Sequence, residues 1–306
     1  MPTDLVCSGP LYARTPQNPM GVGYCAFRLG DIEVFQLFEG AAARDMAADF
    51  FTNTGLADVE AALREAGFAP DKIPNSYTVT AVRFGGRLIL FDAGFGANGG
   101  PSSGRLKETM ALAGLDPADV SEIIITHCHP DHIFGLSDAE GRQVYPDIPI
   151  YVPAAELDFW GDPANLDVMP KSRVALAKRI QATLAVWPNI VRYGAGQEVL
   201  PGVQAVATYG HSAGHTSLLL SSGGKQLMVT GDVTNIPAFN MANPGWRIAA
   251  DDDAATAEAT RRRVLDQLAT SQTICTGYHW GMPGAGRILA QAEGYALKPL
   301  EGFQPA

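Results

Sequence analysis

A dense cluster of potential metal ligands constrains this chain more than any other feature. Segment 127–132 reads His-Cys-His-Pro-Asp-His, follows an apolar run and holds three of the six histidines of the chain. Because residues two apart in an extended segment point to the same side, His127 and His129 can bind one ion together. Asp131 and His132 follow where the chain turns, and we expect them to face a second ion. Imidazole is the commonest ligand of transition metals, so the cluster favours a metal site over a solvated polar loop.

The composition is that of an ordinary globular protein and excludes some partners. The chain has 306 residues, of which 46% are hydrophobic and 18% are charged. That is enough material for one large domain or two smaller ones. The formal net charge of −10 argues against a nucleic-acid partner, which would need a surface rich in Lys and Arg. It also argues against adsorption to anionic membranes.

The cysteines and the termini indicate a cytoplasmic protein. Cys7, Cys25, Cys128 and Cys275 are scattered and form no C-x-x-C pair, so we expect reduced thiols rather than a disulfide framework. The first residues contain no apolar segment of the kind that signal peptides carry. The sequence has no run of 18 apolar residues, so no membrane span is expected.

Short strands and helices alternate along the chain in two batches, which suits sheets covered by helices on both sides. Residues 1–25 are predicted to form an irregular arm, 40–55 a loop, and 26–306 a single domain without a long linker. Strands are predicted at 26–29, 32–37, 77–84, 87–91, 123–126, 150–152, 204–208, 217–221, 226–230 and 273–275. Helices are predicted at 56–68, 106–115, 154–160, 172–186 and 253–269.

Three further segments carry possible ligands, and each follows an apolar strand-like run. They hold His211 and His215, Asp232, and His279. In layered α/β folds, functional residues collect at one end of the strands, so we expect these segments to complete the site. In the segment that holds both His211 and His215, either histidine can supply the ligand. Asp232 follows a glycine and can alternatively be a simple turn residue.

These motifs resemble those of metallo-β-lactamase-fold hydrolases over about residues 26–290. The motifs are T-H-C-H-P-D-H, T-Y-G-H-S-A-G-H-T, T-G-D and a late His. Within that superfamily the chain is similar to the methyl parathion hydrolase branch, through residues 29–34, 88–94, 129–132, 158–160, 210–216 and 278–286. The resemblance implies an α/β fold, the αββα four-layer sandwich, in which two packed mixed sheets are flanked by helices.

The resemblance also implies two metal sites that share one ligand. The first ion would be held by His127, His129 and His211, the second by Asp131, His132 and His279, and Asp232 would bridge them. His215 would then support the site without binding metal. The mixed imidazole and carboxylate donors suit two divalent ions, most simply Zn²⁺, although Mn²⁺, Fe²⁺ and Co²⁺ also fit.

Such a site predicts a hydrolase that needs no Ser or Cys nucleophile. Two adjacent divalent ions lower the pKa of a shared water, so that a bridging hydroxide can attack a small ester, lactone or phosphotriester. Asp131 and Asp232 are the expected catalytic carboxylates, and Asp131 can shuttle the proton. The alternatives on the same fold are an iron-dependent oxidoreductase similar to sulfur dioxygenases, and a β-lactamase. A nucleic-acid processing enzyme and a binding protein with an inactive site are disfavoured.

The candidate substrate contacts are Trp160, Phe95 and Asn235. Trp160 belongs to a D-F-W motif whose tryptophan lies beside the substrate in the branch that the chain resembles, but aromatic residues more often belong to the core. Gly99 and Gly100 stand where that branch has a phenylalanine, which counts against efficient organophosphate hydrolysis. Asn235 stands where acyl-homoserine lactonases have a tyrosine. The expected partner is a small molecule, and relatives of this kind are often homodimers.

Overall fold

Two β-sheets form the framework of the computed structural model, which describes residues 11–12, 22–47, 49–168 and 171–300. The strands are β1 (Leu11–Tyr12), β2 (Val22–Leu29), β3 (Ile32–Asp45), β4 (Lys72–Phe84), β5 (Arg87–Phe91), β6 (Val120–Ile124), β7 (Ile150–Pro153), β8 (Ile190–Tyr193), β9 (Glu198–Leu200), β10 (Val203–Ala207), β11 (Thr216–Ser222), β12 (Lys225–Val229), β13 (Ile274–Thr276), β14 (Ala285–Ala290) and β15 (Tyr295–Pro299).

Helices occupy the connections between these strands. The α-helices are α1 (Leu56–Glu65), α2 (Leu106–Leu112), α3 (Pro130–Ile133), α4 (Ala154–Gly161), α5 (Pro163–Val168), α6 (Lys171–Ala185) and α7 (Ala254–Ser271). Short 3₁₀ turns cover Gly96–Asn98, Pro117–Asp119 and Phe134–Leu136, and a π-helical turn covers Pro237–Met241. No helix of the described ranges is both long enough and apolar enough to cross a bilayer.

Both sheets are mixed. The first contains β1 to β8 in chain order, antiparallel from β1 to β5 and parallel from β5 to β8. The second runs in the order β15-β14-β13-β12-β11-β10-β9, and its only parallel pair is β12 with β13 among these described strands. Gly85 and Gly86 join β4 to β5 with φ of +58° and +78°, the conformation that a tight two-residue hairpin turn requires.

Three layers of apolar contacts hold the sheets and helices together. Side chains of both sheets share the central layer, including Val34, Ile89, Leu218 and Leu227. The outer face of the first sheet packs against α2 and α6, and that of the second packs against α7. The order of layers is therefore helix, sheet, sheet, helix, which confirms the predicted four-layer sandwich.

The predicted loop at 40–55 is wrong over its first half. β3 continues to Asp45, and its end pairs in register with β4 from Ala41 opposite Ser76 to Asp45 opposite Lys72. The run of alanines there has low strand propensity, but pairing with a neighbouring strand overrides it. This extension brings Arg44, at the end of β3, to the edge of the sandwich where the candidate site lies.

The predicted arm at 1–25 is partly ordered as strand. Residues 22–25 begin β2, and Leu11 and Tyr12 pair with it, whereas residues 1–10 and 13–21 lie outside the described residues. Cys128 and Cys275 are buried free thiols, as expected. Cys25 is disulfide-bonded, which corrects the expectation of reduced thiols at that position, because pairing is not visible in cysteine spacing. The single domain over 26–306 stays a prediction.

The topology gathers the ligand-bearing segments at one edge of the sandwich. β5 and β6 are parallel neighbours, and the segments after them carry Asp92 and the 127–132 cluster. In the second sheet β10, β12 and β13 all run toward the same edge, where their following segments carry His211, Asp232 and His279. Side chains from distant parts of the chain can therefore meet there.

A close backbone approach at Gly135 supports this edge. Its amide donates to the carbonyl of Gly94 at 2.7 Å, and a Cβ at Gly135 would lie 2.0 Å from the carbonyl oxygen of Ala93. We expect Gly135→Ala to lower the free energy of unfolding by about 1–3 kcal/mol, because the backbone must shift to admit the methyl group. Urea denaturation of the metal-free protein measures this.

Gly161→Ala is the matched control, since a Cβ at that helix-terminal glycine meets no atom within 4 Å. We expect it to be neutral or slightly stabilising. Equal stability of the two variants would contradict the close contact between Gly135 and the segment after β5.

Candidate metal centre

Three imidazole nitrogens converge on one point at the edge of the sandwich. His127 Nε2 lies 2.9 Å from His129 Nδ1, which lies 3.0 Å from His211 Nε2. His127 and His211 are buried and His129 is half-buried. The two strand-end segments that carry these residues come from different sheets. This is the first group of donors that the sequence predicted.

The hydrogen bonds behind these rings leave bare lone pairs facing the common point. The Thr126 hydroxyl donates to Asp92 Oδ2 at 2.9 Å, so it accepts from His127 Nδ1 at 3.1 Å. His211 Nδ1 donates to Asp251 Oδ1 at 2.8 Å. The Nε2 atoms of both rings are therefore acceptors. A single proton on His129 can satisfy only one of them, whereas a cation satisfies all three rings.

A second group of donors lies beside the first. His132 Nδ1 donates to Asp92 Oδ2 at 2.8 Å, and His279 Nδ1 donates to the carbonyl of Ser76 at 2.7 Å. Their Nε2 atoms point to Asp131, whose Oδ2 lies 3.7 Å from His132 Nε2 and 3.4 Å from His279 Nε2. Asp131, His132 and His279 can therefore surround one cation, as predicted.

Asp232 stands between the two groups. Its Oδ2 lies 2.9 Å from His279 Nε2 and 3.4 Å from His211 Nε2, and its Oδ1 lies 3.5 Å from His132 Nε2. The carboxylate thus contacts histidines of both groups at once. A residue that only made the turn after β12 would not need to be buried with its oxygens directed at three imidazoles.

Orphaned polar atoms show that this cage fits metal ions. His132 Nε2 and Asp232 Oδ1 are buried and have no hydrogen-bond partner among the described residues. Leaving such groups unsatisfied costs about 1–3 kcal/mol each, and more where the group is charged. Bound cations would satisfy both atoms. The mixed set of imidazole nitrogens and carboxylate oxygens therefore fits a dinuclear centre of divalent ions.

The electrostatics of the cage favour the forms that bind metal. Burial and the neighbouring imidazoles hold the pKa of His127 and of His129 well below the usual value, so both rings are neutral. Burial opposes the charge of Asp232, but His279 and His132 outweigh it and hold the pKa of this carboxyl well below its ordinary value.

In the metal-free protein burial also opposes the charge of His211, but Asp251 and Asp232 outweigh it and raise the pKa of this ring. The pKa of His132 is raised further. Burial opposes its charge, but Asp92, Asp232 and Asp131 outweigh burial and raise its pKa well above the usual value. A proton on this ring therefore takes the place that a cation would occupy. Metal binding then releases that proton, which makes metal affinity fall at low pH.

Asp92 supports both groups of candidate ligands, a role that was not predicted from the sequence. Its Oδ1 accepts from the Thr126 amide at 2.7 Å, and its Oδ2 accepts from Thr126 and His132. Its backbone has a φ of +68°, which is rare for a residue with a side chain. The sequence feature that could have indicated this role is the position of Asp92 directly after the buried strand β5. Asp251, which holds His211, was missed in the same way.

Glu156 connects the segment that carries His129 to the segment that carries His211. Its Oε2 accepts from the Cys128 amide at 2.8 Å, and its Oε1 accepts from the Ser212 hydroxyl and the Gly214 amide, both at 2.6 Å. The side chain is fully buried. Because these three donors belong to the two ligand-bearing segments, Glu156 sets the relative positions of the segments that carry His129 and His211. No local sequence pattern marks this role of Glu156.

The structure does not bring Trp160 to the substrate side of the site. The indole is 1% exposed, and its Nε1 donates to Glu156 Oε2 at 3.0 Å, one helical turn away on α4. The ring lies behind His129, with 6.4 Å between the ring centroids. The predicted substrate contact of Trp160 is corrected: the side chain belongs to the core that supports His129.

The other two predicted substrate contacts line an open cavity over the candidate ligands. The cavity has a volume of about 380 Å³. Its walls are formed by Arg44, Asn75, Phe95, His129, Pro130, Asp131, Arg173, Leu176, His211, Asp232, Asn235, Ala249, Ala250 and His279. Phe95 and Asn235 are therefore placed beside the candidate metal centre.

His215 has no nitrogen left for a metal ion. Its Nε2 accepts from the amide of Asp232 at 2.9 Å, so Nδ1 carries the proton and donates to the carbonyl of Thr208 at 3.1 Å. His211 instead directs a free Nε2 into the cage. This geometry favours His211 over His215, the choice that the sequence left open.

We therefore expect His211→Ala to lose metal more readily than His215→Ala. Removal of His211 takes away a ligand atom, whereas removal of His215 only loosens the backbone of Asp232, for which a loss of about 10- to 100-fold in affinity is typical. Metal-to-protein ratios after dialysis against increasing chelator measure the difference. The assignment is overturned if His215→Ala loses an ion at the lower chelator concentration.

Glu39 is a buried acid beneath the segment that carries Phe95. Its Oε1 accepts from the amides of Gly96 at 3.1 Å and Gly104 at 2.7 Å, and its Oε2 has no partner among the described residues. Burial raises the pKa of Glu39 to about 8; the two amides oppose this, and the charge of Asp131 adds to it. The carboxyl is therefore protonated at neutral pH.

This raised pKa predicts a pH-dependent loss of stability. The ordinary pKa of the group is 4.5 and the folded one about 8, so the folded state binds more protons between these values. Stability therefore falls as the pH rises through this window, by at most about 1.4 kcal/mol per pH unit. Glu39→Gln should flatten the dependence of the free energy of unfolding on pH between pH 5 and 9. Exposed Glu65→Gln is the control, and equal slopes in both variants would contradict a protonated Glu39.

Comparison with known proteins agrees with this geometry. The sequence model of the metallo-beta-lactamase superfamily matches residues 72–271. The structure of AidC, a dizinc quorum-quenching lactonase solved with its product, is 26% identical and superposes with a TM-score of 0.85 over 92% of this chain and 98% of that one. The hydrolase AbOPH is 25% identical, with a TM-score of 0.84 over 92% of this chain and 99% of that one.

A local match to a nucleic-acid enzyme is much shorter. Ribonuclease Z of Methanothermobacter thermautotrophicus is 42% identical over 67 residues, which is 22% of this chain and 19% of that protein. The chain thus matches only about a fifth of the length of this curated relative. The long structural matches are to a dizinc lactonase and to a hydrolase of the beta lactamase superfamily, which is consistent with an enzyme. With the family match covering most of its length, the chain belongs to the metallo-beta-lactamase superfamily.

Proposed function

We propose that the protein is a dinuclear metal-dependent hydrolase that cleaves a small carboxylic ester or lactone. The observation that carries this proposal is the position of Asp232, whose oxygens face His211 on one side and His132 and His279 on the other. One ion would be held by His127, His129 and His211, and the other by Asp131, His132 and His279, with Asp232 shared between them.

The chemistry divides between the ions and the chain. When bound, the two ions would supply Lewis acidity and lower the pKa of water, so that hydroxide is available near neutral pH. Asp131 lines the cavity and is the carboxylate placed to accept a proton, at the oxygen that is not directed at His132 and His279. Asp232 stays ionised because His279 and His132 hold its pKa low despite burial, so it contributes charge rather than a proton.

The walls of the cavity position the substrate. Asn235 offers an amide that can donate to the carbonyl oxygen of the substrate, and Phe95 offers an apolar face beside Asp131. Tyr77 packs edge-on against both Phe95 and His279, with centroid distances of 5.1 and 5.8 Å, which fixes Phe95 relative to the ligands. This rigidity supports hydrolysis, since reacting groups must be held in place.

The size of the cavity and the structural neighbours limit the substrate class. A volume of about 380 Å³ is near the lower end for ligand pockets, which indicates a small substrate. AidC is a dizinc lactonase, which supports zinc and an ester or lactone bond. Phosphotriesters stay possible substrates of the same proposal. No feature of the cavity favours the alternative β-lactamase or iron-dependent oxidoreductase activities.

The test is metal analysis joined to a panel of 4-nitrophenyl esters, γ- and δ-lactones, methyl paraoxon and nitrocefin. We expect hydrolysis of an ester or lactone that is lost on chelation and restored by Zn²⁺ or Mn²⁺. Asp131→Asn and Asp232→Asn should each lower kcat/KM by about 10²–10⁴-fold, because a catalytic carboxylate is removed. Exposed Asp119→Asn is the control. Turnover that survives chelation, or a fully active Asp232→Asn, would refute the proposal.

A further inference from the structure

Two guanidinium groups line the cavity over the candidate metal centre. Arg44 lies at the end of β3 and Arg173 on α6, and both line the same cavity as Asp131 and His279. The chain as a whole is strongly acidic, with a net charge of −10. A pair of arginines at the catalytic cavity is therefore a local departure from the charge of the molecule.

Arg173 has a partner within the protein. Its Nη1 lies 2.7 Å from Asp252 Oδ1, and the amide of Asp252 donates to the carbonyl of His211 at 3.1 Å. Arg173 thus ties α6 to the segment that supports His211. Its charge is balanced by Asp252, so a structural role accounts for this residue.

Arg44 has no such partner. No carboxylate of the described residues lies within ion-pair distance of its guanidinium, and the adjacent Asp45 is paired with Lys72. The guanidinium lies close enough to the Tyr77 phenol to favour its ionised form electrostatically. Tyr77 also accepts from Asn75 Nδ2 at 3.3 Å and packs against Phe95 and His279. Arg44 itself is exposed, so its charge is available to a molecule that enters the cavity.

The charges around the cavity leave Arg44 as an unbalanced cation. The carboxylates of Asp131 and Asp232 would be balanced by the ions that they bind, and Asp252 balances Arg173. Guanidinium groups bind carboxylate and phosphate oxygens in a planar, two-pronged geometry. The group that Arg44 lacks is therefore an anionic oxygen group, and the open cavity between Arg44 and the ligands is where a substrate would bring one.

We propose that Arg44 binds a negatively charged group of the substrate, so that anionic esters or lactones are preferred over neutral ones. This inference rests on the proposed hydrolase function and narrows its substrate class. It distinguishes the protein from an enzyme for uncharged lactones or phosphotriesters. The charged group is a carboxylate or a phosphate oxygen, which different substrates can separate.

The kinetic test compares substrates that differ only in charge. Hydrogen 4-nitrophenyl adipate carries a free carboxylate, and methyl 4-nitrophenyl adipate is its neutral counterpart. We expect the native enzyme to prefer the anion about tenfold in kcat/KM, mainly through KM, and Arg44→Gln to remove this preference. Arg44→Glu should favour the neutral ester. Arg83→Gln, at the opposite end of the same strand pair, should keep the native preference.

A second pair of substrates, both phosphate esters, distinguishes a phosphate group from a carboxylate. Methyl 4-nitrophenyl phosphate is an anionic diester, and methyl paraoxon is a neutral triester. A preference for the anion that Arg44→Gln abolishes in this pair, but not in the adipate pair, assigns the group to phosphate. The reverse result assigns it to carboxylate, and either result supports the role of Arg44.

A binding measurement without turnover is independent of the reaction. Calorimetric titration of metal-loaded protein compares adipate, which has two carboxylates, with hexanoate, which has one. We expect adipate to bind about tenfold more tightly to the native protein, and the two to bind equally to Arg44→Gln. In each compound one carboxylate can contact the metal ions of the protein. The difference in affinity between adipate and hexanoate therefore reports on the second carboxylate alone.

The outcomes separate this inference from the proposed function. If charged and neutral esters are hydrolysed equally and adipate binds no more tightly than hexanoate, the role of Arg44 is refuted while the hydrolase proposal stands. If the preference survives in Arg44→Gln and is lost in Arg173→Gln, the assignment to Arg44 is overturned. If no substrate of the panel is turned over with or without metal, the proposed function itself fails.

Discussion

The candidate centre depends on hydrogen bonds that fix which nitrogen of each histidine faces inward. Thr126, Asp92, Asp251 and the carbonyl of Ser76 each take up an outward N–H, so bare nitrogens converge on the cage. Acceptor atoms packed about 3 Å apart repel each other unless a cation or proton lies between them. The fold therefore holds an arrangement that is unfavourable in itself and becomes favourable when cations bind, which couples metal binding to stability.

Two buried carboxylates extend this constraint to the rest of the sandwich. Asp92, which follows β5 in the first sheet, holds Thr126 and His132, which follow the neighbouring strand β6. Glu156 connects Cys128 to the Ser212–Gly214 turn of the second sheet. All the oxygens of both side chains are hydrogen-bonded, which offsets the cost of burying their charge. The distance between the two groups of ligands is thus set by these carboxylates as well as by the apolar contacts between the sheets.

The sequence predicted the ligands better than the residues that position them. His127, His129, Asp131 and His132 are adjacent in the chain, and the resemblance of the motifs supplied the rest, so the local pattern carried the information. Asp92, Asp251 and Glu156 act through partners at least 28 residues away, such as His132, His211 and Cys128, and a single acidic residue has no local signature of such a role. Trp160 was misplaced because the role of Glu156, its hydrogen-bond acceptor one helical turn away, was not recognised. The end of β3 was missed because its alanines become a strand only through pairing with β4.

The distribution of charge links the cage to the choice of substrate. Carboxylates inside the cage, Asp131 and Asp232, would be balanced by the cations that they bind, and those behind it, Asp92 and Asp251, accept hydrogen bonds from the ligand histidines. Negative charge thus lies on the ligand side of the cavity, while Arg44 lines the cavity without a carboxylate partner among the described residues. A neutral substrate would leave that guanidinium without a counter-charge, whereas an anionic one would place opposite charges together. Because the surrounding residues are acidic, Arg44 would then be a selective contact for an anionic substrate.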